Sequence, residues 1–303
     1  MDNCYQKIAE KYIRHWHTST ELDERLQTFL NEFENWMMQL SDEVKPIVLV
    51  LLDNFNYYSH YDANRWLVNL HNNLVESHTI SEDDTIYTYI KSKDGKSNSS
   101  NDYWTEYKLI NKINRNLCYE NSNKISEEQW KFISNIVFID DCCGTGNSFI
   151  RGIEVNQDRY VGKNIYFVTI HVMEEALMNI QEFCNKSYLN IKIISATVQK
   201  KAFSKEYFFD EVEDAKRKIY DASLEFGLPI DQILGYQNSE SLMAFYNNTP
   251  NNTLGLIRYD TDKYKSLFPR VNDEKPSWQK LNRKKKNRKA SNYNAALRGK
   301  RNE

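Results

Sequence analysis

Apolar residues near the start of the chain recur at helical spacing. Leu22, Leu26, Phe29, Leu30, Phe33, Trp36 and Met37 would line one face of a helix over 21–40, after a first helical segment over 5–17. Pro46 opens the aliphatic run Ile47–Leu52, which periodicity leaves open between a strand and a buried helix. A helix is expected from Asp62 to Leu74. Thr85–Ile90 has strand composition, and a polar loop over 91–101 leads into a helix over 103–114. From Ile136 onward the pattern alternates: strands over 136–139, 165–172 and 191–198, helices over 148–155, 174–185 and 211–226. Strands alternating with helices predict an α/β fold, a parallel sheet with helices on both faces. Ligands of such sheets bind beyond the C-terminal strand ends. The expected organisation is a mainly helical region over 1–80, an α/β domain over 81–272 and a basic, flexible tail over 273–303. Residues 247–253 are rich in turn formers and form no repeat.

Charge changes this picture at one end only. The 303 residues carry a net charge of −2, but residues 276–303 hold ten Lys or Arg against one acid. The rest of the chain then has 30 basic and 41 acidic residues. Arg283, Lys284, Lys285, Lys286, Arg288 and Lys289 are dense enough to contact nucleic-acid phosphates or an acidic partner; a solvated solubility tail is the alternative. No apolar run is long enough to span a bilayer. Met1-Asp2-Asn3-Cys4 lacks the basic-then-apolar start of a secretory signal, so a cytoplasmic location is expected. The five cysteines include no CxxC pair and the six histidines no ligand spacing, so no metal site built by the protein alone is expected. Adjacent Cys142 and Cys143 read as space-filling thiols, with a redox switch as the alternative.

Residues 136–150 carry the densest chemistry. Ile136–Ile139 suit a strand buried on both faces, and Asp140 and Asp141 follow it. Gly144-Thr145-Gly146 then form a small-residue loop, with Asn147 and Ser148 at a helix start. Glycines let backbone N–H groups wrap a phosphate, and the helix N-terminus adds donors and partial positive charge. Two carboxylates can accept hydrogen bonds from a ribose diol. The order fits a sugar-phosphate site; a plain strand–turn–helix of another α/β protein is the alternative.

This stretch resembles the phosphoribosyl-diphosphate (PRPP) signature of type I phosphoribosyltransferases. Asp140 and Asp141 match its acidic pair, and Thr145, Gly146, Asn147 and Ser148 its phosphate loop. With Leu234-Gly235-Tyr236, Ser241-Leu242, the segment 248–254 and Leu267-Phe268-Pro269-Arg270, the chain is similar to phosphoribosyltransferase-like proteins of bacterial conflict systems, including effectors beside retron reverse transcriptases. The resemblance implies that Asp140 and Asp141 act at the ribose and that residues 144–148 hold the 5′-phosphate. It implies that Lys96 and Ser97 belong to a diphosphate loop and that Mg²⁺ accompanies the diphosphate. Catalytic members close a basic or aromatic loop over the substrate, and no segment here reads as its equivalent. His171, near the end of its strand, reads as a satisfied core histidine, with a site residue as the alternative.

Three functions stay open. One is a defence effector that transfers or cleaves at ribose C1 and is kept inactive by a reverse transcriptase with its RNA or single-stranded DNA. Another is a catalytically silent phosphoribosyl or nucleotide sensor. The third is a nucleic-acid adaptor docked through its tail.

Overall fold

The computed structural model describes residues 2–16, 24–78, 80–92, 98–205 and 208–271. The chain divides into two units, Met1–Arg270 and Val271–Glu303, and every element below belongs to the first. It opens with α1 (Asp2–Trp16), α2 (Glu24–Gln27), α3 (Phe29–Gln39) and α4 (Lys45–Asp53). The run after Pro46 is therefore a helix. Proline at its first turn lacks an N–H that would have no partner there, and four of the aliphatic side chains that follow are buried. Next come β1 (Asn56–Tyr58), α5 (His60–His78), β2 (Thr85–Tyr89), α6 (Ser99–Ile110) and α7 (Glu127–Phe132).

The centre of the fold is β3 (Asn135–Cys143), α8 (Asn147–Glu154), α9 (Gln157–Tyr160), β4 (Asn164–Met173), α10 (Glu174–Ser187) and β5 (Asn190–Gln199). The chain continues through α11 (Val212–Glu225), α12 (Ile230–Ile233), β6 (Met243–Phe245) and α13 (Gly255–Arg258). Among the described residues, β2, β3, β4 and β5 form one parallel sheet in that order. Side chains of β3 and β4 are shared between two apolar layers. Val137 and Ile139 pack with α5 and α6, while Ile136 and Phe138 pack with Phe149 of α8 and Ala176 and Ile180 of α10. Burial on both faces is what a parallel strand requires.

The second half of the chain closes back on the first. β1 pairs in parallel with β6, Asn56 opposite Met243 and Tyr58 opposite Phe245. A third apolar core joins Trp16, Phe29, Phe33 and Trp36 of the N-terminal helices to Leu256, Tyr264 and Phe268. Arg25 adds hydrogen bonds to Phe245 O and Thr249 Oγ1, both at 2.9 Å. No described helix is long and apolar enough to cross a membrane.

The expected strands and helices of residues 136–226 are all present. The main difference is at β3, which runs four residues past Ile139. Asp140, Cys142 and Cys143 keep pairing with Thr169, His171 and Val172 because β4 itself stays in the sheet to Met173. α6 begins four residues earlier than its apolar pattern suggests, since Asn98 caps it by accepting from Asn101 N–H at 3.2 Å.

Candidate functional site at the β3–α8 turn

Asp140 and Asp141 are strand residues, at the C-terminal end of an inner strand. The Asp140 carboxylate accepts the Asp141 N–H at 2.9 Å. Asp141 is buried and accepts from Ser99 Oγ, in the first turn of α6, at 3.0 Å. The Ser100 hydroxyl reaches Asp140. Both acids thus meet the N-terminal turn of α6, where unpaired N–H groups favour negative charge. Burial, reinforced by the Asp141 charge, still holds the Asp140 carboxyl well above the usual carboxylate range. Burial and the Asp141 charge raise the Asp102 carboxyl of the same helix too. The end of β3 is an electronegative, desolvated place.

Cys142 and Cys143 are free thiols set in the two apolar layers. Burial pushes both upward, with a further rise from the acidic pair. They fill space, as expected. The Arg270 guanidinium opposes the rise at Cys142, which brings a cation to the acidic end; its Nη1 donates to Thr249 O at 2.7 Å.

The loop turns sharply after Cys143. Gly146 has φ +78°, a left-handed conformation that glycine adopts without steric cost. A Cβ there would also stand 3.1 Å from Ile180. Asn179 of α10 donates to Thr145 O at 2.9 Å and fixes the peptide before the turn. α8 starts at Asn147, and Ile150 N–H closes its first turn on Gly146 O at 2.9 Å. Thr145 Oγ1 and Asn147 Nδ2 both donate to one oxygen, Gln237 Oε1, at 3.2 and 2.8 Å. Ser148 is exposed beside them.

Gln237 belongs to a segment that covers the loop. Gly235, Gln237, Asn238 and Glu240 all have positive φ, and three of these four are not glycine. The segment is strapped to residues 251–252: Tyr236 N–H donates to Asn251 O at 2.8 Å, and Ser239 Oγ and Ser241 N–H donate to Asn252 O at 2.9 and 3.1 Å. The Asn252 side chain fills the space a Cβ at Gly144 would take. Glu240, fully buried, accepts from Lys216 Nζ at 2.6 Å and Phe203 N–H at 3.1 Å. This segment meets the loop through the Gln237 and Asn252 side chains.

His171 lies in the core. It is fully buried, Tyr58 OH meets its Nδ1 at 2.9 Å, and burial lowers its pKa to about 3. Lys96 and Ser97 lie outside the described residues, as do Arg283, Lys284, Lys285, Lys286, Arg288 and Lys289. The site gains Ser99, Ser100, Asn179, Gln237, Asn252 and Arg270. The motifs at 234–236, 248–254 and 267–270 signalled three of these neighbourhoods without naming their partners.

A family model, PRTase-CE, matches residues 33–270, which takes in the acidic pair, the loop and the covering segment. The chain belongs to the PRTase-CE family. The match ends at Arg270, where the first unit ends. Among solved structures, the PRTase-CE chain is similar to the xanthine-guanine-hypoxanthine phosphoribosyltransferase of Helicobacter pylori, with 13% identity, 53% of this chain and 96% of that one covered, and a TM-score of 0.32. The orotate phosphoribosyltransferase of Aeropyrum pernix has 13% identity over 45% of this chain and 68% of its own, with a TM-score of 0.29. The AQ2163 protein of Aquifex aeolicus has 9% identity over 60% and 87%, with a TM-score of 0.32. No curated protein matches the sequence.

Proposed function

We propose that this chain binds a phosphoribosyl ligand of the PRPP kind at the β3–α8 turn and transfers or cleaves at ribose C1. The observation that best supports this is convergence: Thr145 and Asn147 aim two donors at a single oxygen beside left-handed Gly146, next to the strand end that carries Asp140 and Asp141. In this reading the 5′-phosphate takes those donors and the backbone of residues 144–148, and the ribose diol donates to the acidic pair. A sugar that develops oxocarbenium character at C1 brings positive charge to this electronegative, desolvated strand end, so the acidic pair favours the transition state over the bound ground state. Ser99 and Ser100 hold the carboxylates in place for this.

The carboxylate oxygens of Asp102, Asp140 and Asp141 are hard donors of the kind Mg²⁺ takes. Among the described residues no group of three or more His, Cys, Asp or Glu side chains is arranged to hold a metal. In this reading the ion would arrive with the diphosphate, and Asp102, Asp140 and Asp141 are the carboxylates that would help hold it. When bound it neutralises the leaving charge. Lys96 and Ser97 are the proposed diphosphate side.

The wider role proposed is that of a defence effector restrained by a reverse transcriptase with its RNA or single-stranded DNA, docked through residues 283–289. A silent sensor is the second reading, favoured by Gln237 already engaging both loop donors. Calorimetry with ribose 5-phosphate and PRPP, on wild type, Asp140→Ala and Asp141→Ala, tests the site. Unchanged affinity in both variants rules out the ribose role. Binding of PRPP with no diphosphate release under any acceptor supports the sensor instead.

A further inference from the structure

The donors that make the turn a phosphate loop are already in use, and the residue using them is exposed. Gln237 is a surface residue whose side chain reaches back to the loop. Its Oε1 accepts Thr145 Oγ1 at 3.2 Å and Asn147 Nδ2 at 2.8 Å. A threonine hydroxyl has one proton to donate, so it cannot serve Gln237 and a phosphate oxygen together. The backbone holds Gln237 in this position at a cost, with φ +54° and ψ +34° in a non-glycine residue. The surrounding segment cannot simply drift away. Glu240 N–H closes onto Leu234 O at 2.9 Å, and Gly235 packs so closely on the Asn252 carbonyl that no Cβ fits between them. The backbone is a fixed mount, and the exposed side chain is the part that would have to turn away to release the donors.

We infer that Gln237 is a built-in competitor for the anion site: its amide oxygen stands where a phosphate oxygen of the ligand would stand and must leave for the ligand to bind. The inference rests on the phosphate-loop reading above. It gives the chain a resting state in which the loop donors are satisfied without ligand. A phosphate wins the exchange through its charge, since hydrogen bonds to an anion are stronger than those to a neutral amide. A weaker or uncharged sugar does not.

The test is calorimetric titration of the full chain with ribose 5-phosphate. Gln237→Gly removes the amide and accepts the positive φ; Gln237→Asn keeps an amide that is one methylene too short to reach and also tolerates that backbone. Both are expected to bind at least about tenfold tighter than wild type, because the fraction of chains with free donors rises. Gln237→Glu, which seats a carboxylate on the same donors, is expected to bind more weakly. Equal affinity in wild type and both shortened variants overturns the competitor and leaves the phosphate site standing. Weaker binding in both makes Gln237 a ligand contact and also overturns it. Absence of binding in wild type and in both shortened variants removes the phosphate site and the competitor together, whereas binding confined to the shortened variants supports both.

Discussion

Residues 135–148 and residues 235–253 meet at Gly144 and Thr145, yet they are built in opposite ways. The first segment is local. Its strand, its left-handed glycine and its helix start follow one another in sequence; the sheet fixes the strand, and α10 packs on the turn. The second is held by contacts between residues more than ten apart and by a run of positive φ values that few side chains favour. In the proposed reading, one segment carries the chemistry of the site and the other governs access to it. A chemically legible motif can therefore sit under a cover that the motif itself does not announce.

The largest effect should come from the motif side. Replacing both Asp140 and Asp141 by Ala removes two acceptors, each worth roughly 1.5–3 kcal/mol when hydrogen-bonded with charge assistance. Affinity for ribose 5-phosphate, measured by calorimetry, should fall about a hundredfold or more. A fall of less than threefold would break the assignment of chemistry to this segment.

The junction between the segments comes next. Gly144→Ala places a methyl group against the Asn252 side chain, so the cover must shift. The expected loss in urea unfolding is about 1–3 kcal/mol, typical of overpacking. Adding Asn252→Ala to the same chain should recover much of it. A neutral Gly144→Ala would mean that the two segments do not pack as described.

A charge change separates function from stability on the motif side. Asp140→Asn should weaken ligand binding while stabilising the free protein at neutral pH, on the order of 1 kcal/mol. Burial and Asp141 raise the Asp140 carboxyl above its ordinary value of 3.8, so the folded chain holds a proton there that the unfolded chain gives up. That contribution is full below the ordinary value and is lost as pH rises through the folded value. The gain of the Asn variant should therefore appear above about pH 4 and be absent below it, as thermal melts across pH will show.

The smallest effect is expected at the anchor of the cover. Glu240→Gln loses the ion pair with Lys216 but keeps an acceptor for Phe203 N–H. Lys216 is partly exposed and can turn to water, so the loss should be about 1 kcal/mol in urea unfolding. Ribose 5-phosphate affinity should change little or rise slightly as the cover loosens. A large loss of affinity would give this segment a direct part in binding.

The sequence alone determined the parallel α/β core and the shape of the turn at 144–148. Burial of β3 and β4 on both faces demands continuous apolar runs, and the left-handed turn at Gly146 favours glycine; both signals are written in adjacent residues. Tertiary structure decided the rest. Ile47–Leu52 became a helix, and β3 continued through the acidic pair, because of what packs beside them. β1 found β6 across most of the chain, and three-residue strands carry too little pattern to show it. Gln237 and Asn252 reached the 144–147 loop from about ninety to a hundred and ten residues away. Such contacts depend on where the backbone closes in space, and a polar side chain in a turn has no periodicity that reveals its partner.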